Sequence, residues 1–300
     1  MDAWIAITIA AAFFQNLRMA VQKHLTAQLS TAGATSARFY YAFPLAMLYV
    51  ALVAKWTGQA LPAANPSFVL YAMLGGGAQI VATALLVSLF SLRNFAVGTT
   101  FSKTETVQAA AFGIVILADP MSAWALAGIL LSLAGVITIS MAKGEASLRA
   151  LAKGLSGRPA LLGMASGAAF AVSVVSYRAA SLSLESGGVA LRAGLTLATV
   201  TVMQTLAMTV YLRWREPGQI SRVLRSWRVS IWAGVCGTAA SACWFTAFTL
   251  KNAAYVRAVG QVELIFTFAI SYFFFRERAT AIEIAGIVLV VAGILVLLQG

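Results

Sequence analysis

The chain has 300 residues, of which 61% are hydrophobic and only 10% charged, and this balance excludes a soluble globular domain of that size. A formal net charge of +12 raises the question of nucleic acid, but the cations sit in short loops between apolar runs, so that partner is excluded as well. What remains is a chain made almost wholly of runs of roughly 18–25 apolar residues, the length a helix needs to cross about 30 Å of hydrocarbon.

Ten such spans are predicted, near residues 3–23, 34–55, 67–92, 97–118, 121–142, 159–182, 188–212, 229–250, 255–275 and 280–299. The first starts without a basic n-region and reads as a retained span rather than a cleaved leader. Along it run Thr8, Gln15, Arg18 and Gln22, with Met19 beside them, a polar stripe expected to face the bundle interior. His24 follows as a solvated interfacial residue. Span two carries Pro44 at its middle, which removes one backbone hydrogen bond and can seed a bend. Arg38 and Arg192, near the ends of spans two and seven, suit either gates or interfacial anchors.

Span three presents Gly76, Gln79, Thr83 and Phe90, and span eight the matching Gly237, Ser241 and Phe248, with Trp244 between them. In span four a 3.6-residue period gathers Gly98, Phe101, Ser102, Glu105, Gln108 and Phe112 on one face. Lys103 then falls on nearly the opposite face, as a snorkelling cation. In span nine the equivalent face is Val256, Gly260, Glu263, Thr267 and Ile270.

Span five is expected to open at Asp119-Pro120, an N-cap with proline in the first turn, and span ten at a Thr280/Glu283 capping box. Both carry glycines at seven-residue spacing, Gly128/Gly135 and Gly286/Gly293, and read as closely packed scaffold. Span six repeats the stripe of span one faintly with Ser166, Ser173 and Ser176. Cys236 and Cys243 are expected in the core, and Trp4, Trp56, Trp214 and Trp227 in an interfacial belt.

The chain repeats itself at an offset of about 158 residues: Phe90-Ser-Leu-Arg-Asn94 returns as Phe248-Thr-Leu-Lys-Asn252, Glu105 falls on Glu263, Gly128 on Gly286 and Gly135 on Gly293. Five spans per copy make the second copy enter the membrane inverted. The predicted fold class is therefore an all-α integral membrane protein, ten transmembrane helices in two inverted-topology five-helix repeats. Residues 1–142 and 159–300 are the repeats, and 143–158 is a basic cytoplasmic linker. Cations crowd the loops after odd-numbered spans, among them Arg213, Arg215, Arg222, Arg225 and Arg228, whereas the even loops hold mainly Lys55, Lys251 and Arg257. Positive charge inside puts both termini in the periplasm.

Thr104-Glu105-Thr-Val107 and Val262-Glu263-Leu-Ile265 each precede an acidic turn (Ala118-Asp119-Pro120 and Arg276-Glu277-Arg278) and a glycine-bearing closing helix. In this the chain resembles the drug/metabolite transporter superfamily, in its ten-helix EamA branch, and within it is similar to the YddG-type amino-acid exporters of bacterial inner membranes. The family pattern has proline after each glutamate; both prolines are absent here. The resemblance implies a secondary transporter that exports small amphiphilic metabolites, amino acids first among them and aromatic or hydrophobic ones included, by alternating access through a central cavity between the repeats. A bacterial inner-membrane location follows from it.

A carboxylate inside a membrane span is costly and marks a functional site by default. Arg18 and Glu105 lie at similar depth from the same side and are expected to pair, making Glu105 a structural or gating charge. At the position matching Arg18 the second repeat has Val172, so Glu263, with no cation in view, is expected to exchange a proton or meet a substrate ammonium. Arg18, Glu105 and Glu263 are thus the coupling and gating candidates. Gln15, Met19, Gln79, Thr83, Gln108, Ser173, Trp244 and Phe248 are the substrate-binding candidates.

Two rivals share the fold. A proton-coupled multidrug antiporter would want a carboxylate in span one, where Arg18 stands to repel a cationic drug. A carrier of nucleotide-sugars or other phosphorylated metabolites would want a midplane basic cluster, for which Lys103 alone is thin support. No constellation of metal-ligand spacing or nucleophile motif is visible, so an enzyme is not expected, and neither a cofactor nor a metal is called for. The expected partners are a small-molecule substrate and the lipid bilayer. A monomer is the simplest expectation, with a homodimer through spans five and ten as the alternative.

Overall fold

A computed structural model describes residues 2–89, 100–142, 157–269 and 280–299, and no strand occurs among them. The Phe90–Asn94 motif, Gly98, the linker over 143–156, Ile270 and the Arg276-Glu277-Arg278 turn lie outside the described residues. The helices are α1 (Ala3–Leu25), α2 (Thr31–Thr57), α3 (Pro66–Leu89), α4 (Glu105–Leu117), α5 (Ala123–Ala142), α6 (Arg158–Ser183), α7 (Val189–Arg215), α8 (Gln219–Arg225), α9 (Trp227–Leu250), α10 (Ala253–Gly260), α11 (Glu263–Ala269) and α12 (Ala281–Leu297). Among the described residues seven of them, α1, α2, α3, α5, α6, α7 and α9, are long and apolar enough to cross a membrane, and α12 is a shorter apolar helix.

The chain forms two compact units, one of Met1–Gly76 with Tyr177–Leu250 and one of Gly77–Ser176 with Lys251–Gly300. In the first, α9 packs against α1, α2 and α7, and α2 against α7. Small residues set the approach: a Cβ at Gly234 would collide with that of Tyr41. The last carbonyls of α9, on Phe248 and Thr249, accept from the Arg178 guanidinium at 2.8 and 3.4 Å, a cation closing a helix C-terminus. Pro44 sits inside α2 as expected.

Two expectations about this unit are corrected. The segment after span seven contains α8, whose Val223 joins Leu25, Leu29, Ala34, Ala37 and Ala233 in one core cluster; seven residues are too few to display a period. Trp4 is buried, its indole N–H donating to Asp2 at 3.4 Å, rather than lying in a belt, whereas Trp56, Trp214 and Trp227 are exposed. His24 is exposed, and Cys236 and Cys243 are free thiols.

In the second unit α5 packs on α12 through their glycines. A Cβ at Gly128 would meet the Gly293 carbonyl oxygen at 2.5 Å, and one at Gly135 the Gly286 carbonyl oxygen at 2.7 Å. Because Gly128 matches Gly286 and Gly135 matches Gly293 at the repeat offset, the contact is antiparallel and reciprocal: each helix offers the other the same two places. The glycine faces are thus consumed within the chain. The capping box at Thr280 and Glu283 is present in full. The start of α5 is corrected, however. Ala118 takes φ 50°, the Asp119 N–H closes on the Gly113 carbonyl at 3.2 Å, and Pro120 keeps Asp119 out of the helical region. The helix therefore begins at Ala123, and its cap is Ser122, whose hydroxyl accepts from the Ala125 N–H at 3.0 Å.

Candidate functional site

Spans four and nine are not the continuous helices that a 3.6-residue period suggests. Residues 100–102 are helical, Lys103 and Thr104 form a turn, and α4 starts afresh at Glu105; α10 ends at Gly260, Gln261 and Val262 turn, and α11 starts at Glu263. The backbone does the same thing in both places. Lys103 N–H bonds Thr100 and Thr104 N–H bonds Phe101, at 3.1 and 3.2 Å; Gln261 N–H bonds Ala258 and Val262 N–H bonds Val259, at 3.1 and 3.0 Å. These are i to i−3 contacts that tighten a helix end, placed at matching positions of the repeat. Each carboxylate thereby stands in the first turn of a half-helix, where the aligned peptide dipoles favour a negative charge.

Both glutamates have a cation. Arg257 pairs with Glu105: Nη2 donates to Oε2 at 2.8 Å, Nε approaches Oε1 to 2.7 Å without hydrogen-bond geometry, and both side chains are largely buried. Lys103 Nζ lies 3.7 Å from Glu263 Oε1, with side chains 39% and 20% exposed. One expectation falls here: Glu263 does not lack a cation, because Lys103 reaches it. Glu105 is met by Arg257, while Arg18, in the first unit, donates to Gln22 one turn along α1.

Neighbouring side chains hold the breaks in place. Gln261 donates to Thr106 at 3.3 Å, next to Glu105. Gln108 donates to the Thr104 hydroxyl at 2.7 Å and reaches the Met164 carbonyl of α6 at 3.4 Å. α6 can come this near because of Gly167, where a Cβ would sit 2.9 Å from the Ser102 carbonyl oxygen and 3.3 Å from the Glu105 nitrogen. Arg257, Gln261, Thr106 and Gly167 were not legible as site residues. The one available signal was that Gln261 occupies the place of Lys103 at the repeat offset.

The other candidates divide between the units. In the second, Thr83 spends its hydroxyl on the Gln79 carbonyl at 2.8 Å, and Gln79 is half-buried. Ser166, Ser173 and Ser176 are all buried, with Ser166 donating to the Ala82 carbonyl at 2.9 Å, as an inward stripe requires. In the first, Trp244 stacks on Phe248 at 5.7 Å and donates its indole N–H to Gln15 at 3.0 Å. Met19 is 55% exposed. Gly237 gives room to arginine stems, a Cβ there standing 3.3 Å from Arg18 Cδ and 3.9 Å from Arg38 Cβ.

With seven helices among the described residues long and apolar enough to cross a membrane, this is a multi-pass membrane protein. The EamA-like transporter family model matches residues 158–299, so the C-terminal part of the chain is similar to that family. A protein of known crystal structure, 15% identical, shares the fold with a TM-score of 0.72 over 99% of this chain and 98% of that one. At that identity the likeness speaks for the fold alone. No curated protein matches the chain.

Proposed function

We propose that this protein is a secondary transporter that exports small amphiphilic metabolites, amino acids first among them, across a bacterial inner membrane by alternating access. The observation that carries the reading is the cluster at the two helix breaks. Among the described residues, Lys103, Arg257, Glu105 and Glu263 bring two positive and two negative charges together at the helix breaks. A charge-neutral cluster suits a zwitterion. It suits a phosphorylated metabolite poorly, since both cations already face carboxylates, and a cationic drug poorly, since both carboxylates already face cations.

Ten spans in two inverted repeats support the mechanism. Seven spans are long helices among the described residues, α12 is an eighth apolar one, and the interrupted segments around α4 and α10–α11 supply the remaining two. The matched breaks and the reciprocal glycine contact are what a pseudo-two-fold relation generates. The distribution of arginines supports both termini in the periplasm.

Counterflow in proteoliposomes tests the function. Purified protein loaded with one unlabelled amino acid at a time should accelerate uptake of a labelled one, with several amino acids active. Acceleration by phosphorylated metabolites or cationic dyes, with no response to any amino acid, would keep the fold and overturn the substrate class.

A further inference from the structure

The connection between α7 and α9 is strongly basic. From Arg213 to Arg228 it carries five arginines, Arg213, Arg215, Arg222, Arg225 and Arg228, against one acid, Glu216, and no lysine. All five arginines are exposed, and among the described residues no carboxylate pairs with any of them. Glu216 is engaged elsewhere, accepting from the Ser30 hydroxyl.

The short helix α8 within this stretch is held by its inner face. Gln219 and Val223, one turn apart, are buried, Val223 in the cluster with Leu25, Leu29 and Ala233. At its C-terminal end the Leu224 carbonyl accepts from the Tyr41 hydroxyl at 3.4 Å. A helix seated by positions 219 and 223 turns Arg225 away from the core and carries Arg222 on its flank.

Aromatic side chains mark the depth of this face. Trp214, at the end of α7, is 80% exposed, and Trp227, at the start of α9, 53%. Farther along the same helices, α7 exposes Leu206 and Val210 and α9 exposes Ile231 and Trp232, an apolar surface suited to hydrocarbon. Tryptophan at the rim of such a surface lies where acyl chains give way to headgroups. The arginines flank that rim, and Arg228 Cζ lies 5.8 Å from the centre of the Trp227 ring. Leu224, also exposed, adds an apolar side chain to the same short helix.

We propose that α8 and the helix ends flanking it form a docking surface for anionic phospholipid, the guanidinium groups taking headgroup phosphates while Leu224, Trp214 and Trp227 rest among the acyl chains. Arginine suits this better than lysine, because its planar fork meets two phosphate oxygens at once. A soluble phosphorylated ligand would satisfy the arginines and leave three large apolar side chains in water; a lipid satisfies both. The surface is independent of what the protein transports, so it stands or falls apart from the reading above.

The test is quenching of a single tryptophan by brominated lipid. The full chain, with Trp227 kept and its other tryptophans changed to phenylalanine, is reconstituted in phosphatidylcholine bilayers containing brominated phosphatidylglycerol or brominated phosphatidylcholine. The ratio of the two quenching curves gives relative affinity and cancels any change in the indole's own emission. Phosphatidylglycerol should be favoured by about fivefold or more, the scale of one cation at an anionic surface. A chain keeping only Trp56, which is 91% exposed beside Lys55 at the end of α2, is the control and should favour it several-fold less. Arg222→Gln, Arg225→Gln and Arg228→Gln together should bring the ratio at Trp227 close to one. Equal preference at Trp56 and Trp227, or a preference that the triple variant retains, would overturn the proposal. Should the triple variant not purify as a single species, salt decides: about 0.5 M sodium chloride should lower the preference of the unaltered face by screening, and no change would overturn the proposal. Inorganic phosphate that abolishes the preference where chloride of equal ionic strength does not would assign the face to a soluble anion and overturn it as well.

Discussion

Lys103 and Gln261 stand at matching places in two helix breaks, and each reaches across to the half-helix that begins in the other: Lys103 to Glu263 at 3.7 Å, Gln261 to Thr106 at 3.3 Å. The crossing is reciprocal in geometry and unequal in charge. The two crossings thus differ in charge, because a lysine stands in one where a glutamine stands in the other.

Arg257 and Glu105 should behave as a buried pair whose halves need each other. Arg257→Gln leaves a carboxylate unmatched, at a cost of about 3–5 kcal/mol, while Arg257→Gln with Glu105→Gln should recover most of that loss. Thermal unfolding of the purified variants in detergent measures both; a double variant no more stable than the worse single one would contradict the pairing.

Gly167 should tolerate no side chain. Even Gly167→Ala drives a Cβ to 2.9 Å from the Ser102 carbonyl oxygen, and overpacking of this sort costs about 1–3 kcal/mol. Gly77, where a Cβ would meet nothing within 4 Å, is the control: Gly77→Ala should leave folding yield and transport unchanged. Equal effects at the two positions would show that the close approach of α6 to the break does not matter.

The glycine contact between α5 and α12 makes a parallel prediction about scaffold. Gly135→Leu would press on the Gly286 carbonyl and on the Val290 side chain, at 2.7 and 2.8 Å from the added Cβ. It should lower the unfolding temperature strongly. In the fraction that folds, the competitor ranking among substrates should not move, because neither helix carries a residue of the charged cluster.

Gln15 and Trp244 offer a spectroscopic test in the other unit. Gln15→Leu removes the acceptor of a buried indole N–H, worth about 1–3 kcal/mol in stability. Removing it should also shift the indole emission to the blue in a protein where the other tryptophans are phenylalanine. No shift would mean that Trp244 has a different partner in the membrane.

The seven long helices were legible because each is a run of apolar residues longer than the bilayer requires, a property of the chain taken one residue at a time. The capping box at Thr280 was legible for a similar reason: its partners are three residues apart. The opening of α5 was misplaced because the proline after Asp119 acts on the conformation of its neighbour, which forces the cap on to Ser122. Trp4 was misassigned because its position in sequence says that it is near a span end, and only packing says whether that end is covered.

The candidate site divides in the same way. Composition determined that this is a multi-pass membrane protein, and the repeat offset aligned Glu105 with Glu263. The partners of those carboxylates were decided by tertiary structure. Arg257 is about 152 residues from Glu105, and Lys103 about 160 from Glu263, so no local period relates them. The turns at Lys103–Thr104 and Gln261–Val262 finished the matter, because a helix that breaks and restarts changes the direction in which every later side chain points. Hydrophobic length is additive along the chain and can be read there. Which charge meets which depends on the folded path between them.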